Sequence, residues 1–369
     1  MKSLRDHRLH AGLTQAELAE KAAIRVATLS ALENGKSQAR DSTLTRLAHA
    51  LKISIEDLRS AMLPSASEQK QSVIEQVEND WLFLQGLDND LRADLAQSLV
   101  AEWTHSSTAL EGNTISAGDT LFILTEGLTI NGKSLREHQE IHGHAQALAI
   151  MSRWIKAGSP IRIESLHQLH RSVQTETIMD IYQPIGSWKV EPNGTMIMPS
   201  SGKTSWHEYT LPKDVPTLIK AWLKILQQRS QRCKKIKRSI QSGKNKKDNK
   251  TTKEDTELLI AAYTDIHLSF VAIHPYADGN GRLARLVANI PLLRAGMPPL
   301  LISQEERRTY INLLGDYTLA IGQIRKEENI IKQGTEYNTL KKFFLSQWQN
   351  TLGQVEEFRN IQSKRMPHQ

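Results

Sequence analysis

One short stretch, His274-Pro275-Tyr276-Ala277-Asp278-Gly279-Asn280-Gly281-Arg282-Leu283-Ala284-Arg285, constrains the fold more than any other feature of the chain. Upstream, ELLIAAYTDIHLSFVAIH (257–274) reads as an amphipathic helix. It must stop at Pro275, because proline has no amide hydrogen and disfavours a helical residue before it. Gly279 and Gly281 permit a tight turn, and RLARLVANIPLLRAG (282–296) starts a second helix. Glycines beside a helix start leave several backbone N–H groups on one concave surface, which suits an anion. Asp278 offers a hard oxygen ligand that, together with phosphates, suits Mg²⁺. Arg282 and Arg285, one turn apart, can both face phosphates. His274 at the loop entrance can take a proton near neutral pH. Base, metal ligand, anion nest and cations together predict phosphoryl or nucleotidyl transfer.

The rest of the chain predicts a mostly α protein of two or three domains, since its 369 residues are only 5% aromatic and the helical period dominates. Residues 1–63 read as five short helices, with start signals at Thr14, Ser42 and Ser54, and 64–72 reads as a linker. A helical region at 73–130, a larger helical domain at 131–325 and a C-terminal helical tail at 326–369 follow. Helical segments are expected at 91–103, 118–128, 134–155, 162–173 and 214–226, and a final helix at 335–360. Residues 183–212, which carry seven Gly and Pro and the strand-like pieces TMIMP and HEYTL, read as a β-hairpin or flap.

The formal charge is +7, but 229–253 alone carries +10, leaving −3 for the remainder. Basicity is therefore local, and the 229–253 run reads as a solvated insertion between helices. No uninterrupted apolar run of about 18 residues suggests a membrane span. The opening MKSLRDHRLHAGLTQAEL lacks a signal-peptide core, and the single Cys233 fits a reducing cytoplasm. His138, His142 and His144, and His167 and His170, have no Cys partner or HExxH pattern, so packing or surface roles are expected. His267 reads as a buried structural hydrogen-bonder.

Residues 3–60 resemble the Cro/repressor-type helix-turn-helix family, on Leu13-Thr14-Gln15, Ala19, Ile24, Leu29, Glu33, Gly35 and Leu47-Ala48. The resemblance implies that a helix beginning near Arg25 lies in the major groove of double-stranded DNA. Gln15 and the Asn34-Gly35-Lys36 loop would touch phosphates. Arg25, Val26, Ala27, Thr28, Ser30 and Ala31 would face base edges, a rather apolar set that predicts modest specificity. Such domains bind as dimers on two half-sites, which implies a homodimer. The alternative is a dimerisation domain without DNA binding.

The 274–285 stretch is similar to the Fic signature HPFx(D/E)GNGRxxR, matching eight of nine defined positions, with Tyr276 for the usual Phe. That exchange is expected to be mild if the hydroxyl finds a partner. The resemblance extends over about 75–325 and implies an all-helical core with a β-hairpin flap. It also implies transfer of AMP from ATP to a Ser, Thr or Tyr hydroxyl of a protein. His274 would deprotonate the hydroxyl and Asp278 would hold Mg²⁺. Gly279, Asn280 and Gly281 would stabilise the α-phosphate, and Arg282 and Arg285 the outer phosphates. Gly281, where a kinase-like relative has Lys, favours AMP transfer. Thr195, Met196, Ile197 and Met198 would form the flap that docks a target strand, and Tyr310 would either border the adenosine or simply pack its helix.

Ser107-Thr108-Ala109-Leu110-Glu111-Gly112 (107–112) matches the family's inhibitory signature (S/T)xxxE(G/N). Ser107 and Glu111 share one helix face and Gly112 would stop the helix; the resemblance implies that Glu111 reaches the second arginine of the catalytic signature, here Arg285, and misaligns ATP. Two other readings stay open: an ATP-sensing transcriptional regulator with little turnover, and a de-AMPylase or phosphotransferase of the same fold.

Overall fold

The computed structural model describes residues 4–33, 41–55, 58, 72–174, 182–197, 202, 204–241 and 252–365. The chain divides into two compact units, residues 1–71 and 72–369. Asn34, Lys36, Met198, linker positions 64–71 and positions 242–251 of the basic run lie outside the described residues.

In the first unit, α1 (Leu4–His10), α2 (Gln15–Lys21), α3 (Val26–Glu33) and α4 (Asp41–Leu51) surround a core of Leu18, Ala22, Leu29, Leu32, Leu47 and Leu51. Thr14 caps α2 in a reciprocal box with Glu17, as its position before QAEL predicts. Ser42, read as a helix start, instead lies inside α4, which opens one residue earlier. Of the fifth expected helix the described part is its first turn, where the Leu58 amide donates to the Ser54 carbonyl (3.0 Å).

The second unit opens with Ser72, which caps α5 (Val73–Asp80) through Glu75 rather than ending a linker. It continues with α6 (Asn89–Ala109), α7 (Ala117–Glu126), α8 (Leu135–Lys156) and α9 (Ile163–Val173). The hairpin strands β1 (Gly194–Ile197) and β2 (Ser205–Glu208) follow, antiparallel, with Thr195 opposite His207 and Met196 opposite Trp206. Then come α10 (Val215–Gln241), α11 (Lys253–Ile273), α12 (Asn280–Val287), α13 (Ile290–Arg294), α14 (Arg307–Ile321) and α15 (Thr335–Arg365).

The spine is α11, buried from Leu259 to Ile273 except at Ala261 and packed by α10, α12 and α15. By length and composition α11 could cross a membrane, but 78% of that window is buried in this core. An all-round apolar helix is what the centre of a large helical domain requires. The basic run departs from expectation. α10 continues through it to Gln241, because Cys233 and Ile236 are buried and Arg229 pairs with Asp265 of α11 (2.7 Å).

Candidate active site

The site is assembled where α11 stops. The last helical amide bond runs from His274 N–H to the Phe270 carbonyl (3.0 Å), and His274 itself takes a left-handed backbone, φ 50°. That conformation is uncommon for a residue with a β-carbon, and it turns the chain out of the helix just before Pro275. Gly279, φ 76°, opens α12, leaving the amides of Asn280, Gly281 and Arg282 without intrahelical partners.

The loop between the two helices is clamped from inside. Asn280 Oδ1 accepts from the Tyr276 amide (3.0 Å) and its Nδ2 donates to the Tyr276 carbonyl (2.8 Å). His170 of α9 accepts the Gly186 amide at Nδ1 (2.8 Å), so its Nε2–H donates to the Asp278 carbonyl (3.0 Å). The same ring stacks on Tyr276 at 3.9 Å. Burial first of all holds the His170 pKa down at about 4, which keeps the clamp neutral. The Tyr276 hydroxyl meets His167 Nδ1 (3.2 Å), the partner that a Tyr in place of Phe needs.

Both arginines are buried under the loop. Arg282 donates to the Val173 carbonyl (2.8 Å) and to Gln174 Oε1 (2.9 Å). Its Nε is buried and has no partner. Arg285 donates to the Ser107 hydroxyl (3.2 Å), the Ser107 carbonyl (2.8 Å) and Glu111 Oε1 (2.7 Å). Burial lowers the Arg285 pKa, but Glu111 and Tyr310 outweigh it, leaving the guanidinium above its ordinary value. The pair is lopsided, with Arg285 5% and Glu111 43% exposed at the side chain. Glu111 also lies over the nest: a β-carbon on Gly281 would come 2.4 Å from Glu111 Oε1 and 3.1 Å from an Arg285 nitrogen.

The hairpin closes the other side. Tyr209, just after β2, stacks on His274 with ring centroids 3.7 Å apart and planes 8° from parallel. Lys189 ties the hairpin's base to the loop, its amide donating to the Pro275 carbonyl (3.0 Å) and its Nζ to Asn193 Oδ1. Asn193 in turn donates to the Tyr276 carbonyl (3.0 Å). Burial brings Lys189 down to about 7, with Glu208 opposing the shift. His274 is pushed down to about 3, by burial first and then by Lys189, so its imidazole is neutral near pH 7.

Residues 160–292 match the Fic/DOC family, and residues 4–58 match a helix-turn-helix family. The chain carries a Fic/DOC domain. Protein adenylyltransferase fic-1 of Caenorhabditis briggsae is 28% identical over 255 residues, 68% of this chain and 43% of that protein. Protein adenylyltransferase Fic of Drosophila melanogaster is 28% identical over 210 residues, 57% of this chain and 36% of that protein. The chain thus spans less than half the length of these relatives. Among solved structures, a Fic domain containing signaling protein from Bacteroides thetaiotaomicron superposes with a TM-score of 0.55 at 22% identity. The match covers 78% of this chain and 97% of that one. Fic-1 from C. elegans gives 0.50 at 20% identity, covering 98% and 93%. At these identities the structures show a common fold.

Within the Fic domain, the structure brings together His274, Asp278, Gly279, Asn280, Gly281, Arg282 and Arg285, and sets Ser107 and Glu111 against them. Gly112 takes a positive φ of 104° in the turn that follows α6. Two assignments change. The Asn280 side chain, expected at the α-phosphate, is engaged at both polar ends by Tyr276, so only its backbone amide faces an anion. Tyr310, expected beside adenosine, is 1% exposed and bonds His267 Nε2 (2.9 Å) among Tyr263, Phe343 and Phe344. It packs behind Arg285 because α14 turns that face into the core. Thr195, Met196 and Ile197 form β1, with Met196 and Trp206 exposed on one face. His170, Gln174, Lys189, Asn193 and Tyr209 are new to the site. Their signals, a His near a helix end and polar residues in a Gly/Pro-rich stretch, have no fixed spacing to the loop they hold.

In the helix-turn-helix unit, Arg25, Val26, Ala27 and Thr28 are exposed at the start of α3, and Ser30 is half-buried. The side chain of Ala31 is outside the described residues. Gln15, expected at a phosphate, instead donates its side-chain amide to Glu33 (2.7 Å), which Arg8 holds in a two-nitrogen pair. The Gln15 backbone amide, first in α2, remains for a phosphate.

Asp278 is the residue that the sequence reading expects at Mg²⁺. Its carboxylate is exposed, 3.3 Å from Gln174 Nε2 and 3.8 Å from Arg282. Among the described residues no group of three or more His, Cys, Asp or Glu is placed to hold a metal. A single carboxylate fits Mg²⁺, which takes most of its ligands from phosphates and water.

Proposed function

We propose that the Fic domain transfers AMP from ATP to a hydroxyl of a protein, held back by Glu111, and that the first unit binds double-stranded DNA. The carrying observation is the convergence of a neutral His274, the free amides of α12 and two buried arginines at one turn. The target hydroxyl oxygen bonds to the α-phosphorus, and the bond from that phosphorus to the α–β bridging oxygen breaks. Pyrophosphate leaves with the electron pair, and the hydroxyl proton passes to the unprotonated nitrogen of His274. The neutral imidazole can take this proton as the attacking oxygen gains positive character. The amides at Asn280 and Gly281 and the unpartnered Arg282 Nε stabilise charge on the phosphates. Mg²⁺ held by Asp278 would neutralise phosphate charge. The exposed Met196 and Trp206 face of the hairpin suits an extended target segment.

Glu111 supports restraint. Its carboxylate takes Arg285 and covers Gly281, where an outer phosphate would need cation and space. That same observation favours a second reading, an ATP-sensing transcriptional regulator with little turnover. Label transferred to protein from the α position of ATP supports AMP transfer; label from the γ position supports phosphate transfer, and none supports the sensor. His274→Ala is expected to lower AMP labelling by about 10²–10⁴-fold while ATP binding persists. Unchanged labelling would show that His274 is not the base.

A further inference from the structure

Away from the catalytic turn, the second unit holds a cavity of about 250 Å³ between the Gly158–Ile161 segment, the middle of α10 and the end of α13. Arg294, the last residue of α13, lines it and is 8% exposed. One of its terminal nitrogens donates to the Ser159 carbonyl, and its Nε has no partner. Ser230 of α10, also in the lining and 1% exposed, has a hydroxyl without a partner. Lys224 and Lys234 stand on the same wall, and no carboxylate is among the described lining residues.

This is an unusual arrangement. A buried guanidinium is normally matched by a carboxylate, because taking a charge out of water is costly unless an opposite charge replaces the lost hydration. A backbone carbonyl satisfies one N–H but does not neutralise the ion. Burial accordingly pulls the Arg294 pKa below its ordinary value, with no acid opposing it. Buried hydroxyls are also normally hydrogen-bonded. Arg285 and Arg229 in the same unit each have their carboxylate, which makes Arg294 the exception among these three. The lining holds one arginine and two lysines and, among the described residues, no carboxylate, so its net charge is positive.

We propose that this cavity is an oxyanion site, taking a small molecule that bears a phosphate or carboxylate group. One anion oxygen accepts from Arg294 Nε, a charge-assisted bond, and another from Ser230 Oγ. Lys224 and Lys234 add charge, and Leu223 and Ile161 meet the ligand's apolar body. The inference stands apart from the catalytic reading, since it concerns neither ATP nor the 274–285 loop.

The test is calorimetric titration of the full chain with inorganic phosphate and, separately, with butyrate. Saturable binding of either is expected, and the tighter of the two identifies the head group. Arg294→Met should weaken it by about tenfold or more, and Ser230→Ala by less. Arg294→Met should also raise the ligand-free melting temperature, because it removes an uncompensated buried charge. Arg294→Lys, which keeps the charge but not the Nε donor, covers the case of a methionine variant that fails to fold; it too should bind more weakly. No saturable binding of either anion at millimolar concentration would overturn the proposal. So would binding that Arg282→Ala abolishes and the Arg294 variants keep, which would place the anion at the catalytic nest.

Discussion

Arg285 is held twice, by Ser107 through a hydroxyl and a carbonyl and by Glu111 through its carboxylate. Removing Glu111 therefore leaves the guanidinium in place but without its counter-charge. At about 4 Å and an effective dielectric near 20, such a pair interacts by about 4 kcal/mol before desolvation is subtracted. A surviving fraction of about 1.4 kcal/mol is about tenfold in rate. Glu111→Gly is accordingly expected to raise AMP transfer and self-modification by about tenfold or more, read by α-labelled ATP. Arg285→Ala should not mimic it, since the phosphate cation is lost together with the brake. The double variant should stay slow, a non-additive outcome. Equal labelling by wild type and Glu111→Gly, with ATP and a competent target present, would end the proposed restraint.

At the scale of elements, the two strands of the hairpin approach closely at Gly194. A β-carbon there would lie 2.4 Å from the Trp206 ring and 2.5 Å from the His207 carbonyl. Gly194→Ala is expected to part the strands, disturb Tyr209 against His274 and lower transfer, with little change in melting temperature, since the core lies elsewhere. A fully active variant would show that the hairpin's pairing is dispensable. The helices and the hairpin's place in the chain were legible from periodicity and spacing, because each rests on contacts within one element, while the Ser107–Glu111–Arg285 relation was implied by the resemblance to the family's inhibitory signature. What was not legible rests on contacts between elements distant in sequence. His170 reaches Asp278 across 108 positions, and Tyr209 stacks on His274 only once α10 has carried the chain back. The helix through the basic run was missed because charge density concealed Cys233 and Ile236, which bury one stripe of it.

At the scale of the molecule, several histidines sit neutral inside the second unit. Burial, then nearby Arg285, holds His144 and His267 at about 3 against 6.5 for the free side chain. Below pH 6.5 the unfolded chain takes up protons that the folded chain refuses, so stability falls as the pH falls toward about 3. Melting temperature is expected to be flat above neutrality and to decline on acidification, and His144→Gln should lessen the slope. A flat profile down to pH 4 would contradict the buried neutral state. The two units have separate hydrophobic cores, so two unfolding transitions are expected in calorimetry. Arg25→Ala should weaken one preferred DNA sequence by about 1–3 kcal/mol in a gel-shift titration and leave both transitions unmoved.

Separate cores also mean that damage is compartmented. A substitution that empties space around Leu18 or Leu29 takes away the first unit's fold, while the helices around α11 keep theirs. On the proposed function, the surviving protein would keep its catalytic turn and lose its hold on DNA. If the proposed function holds, a lesion far from any catalytic residue would change where AMP transfer happens before it changes how fast.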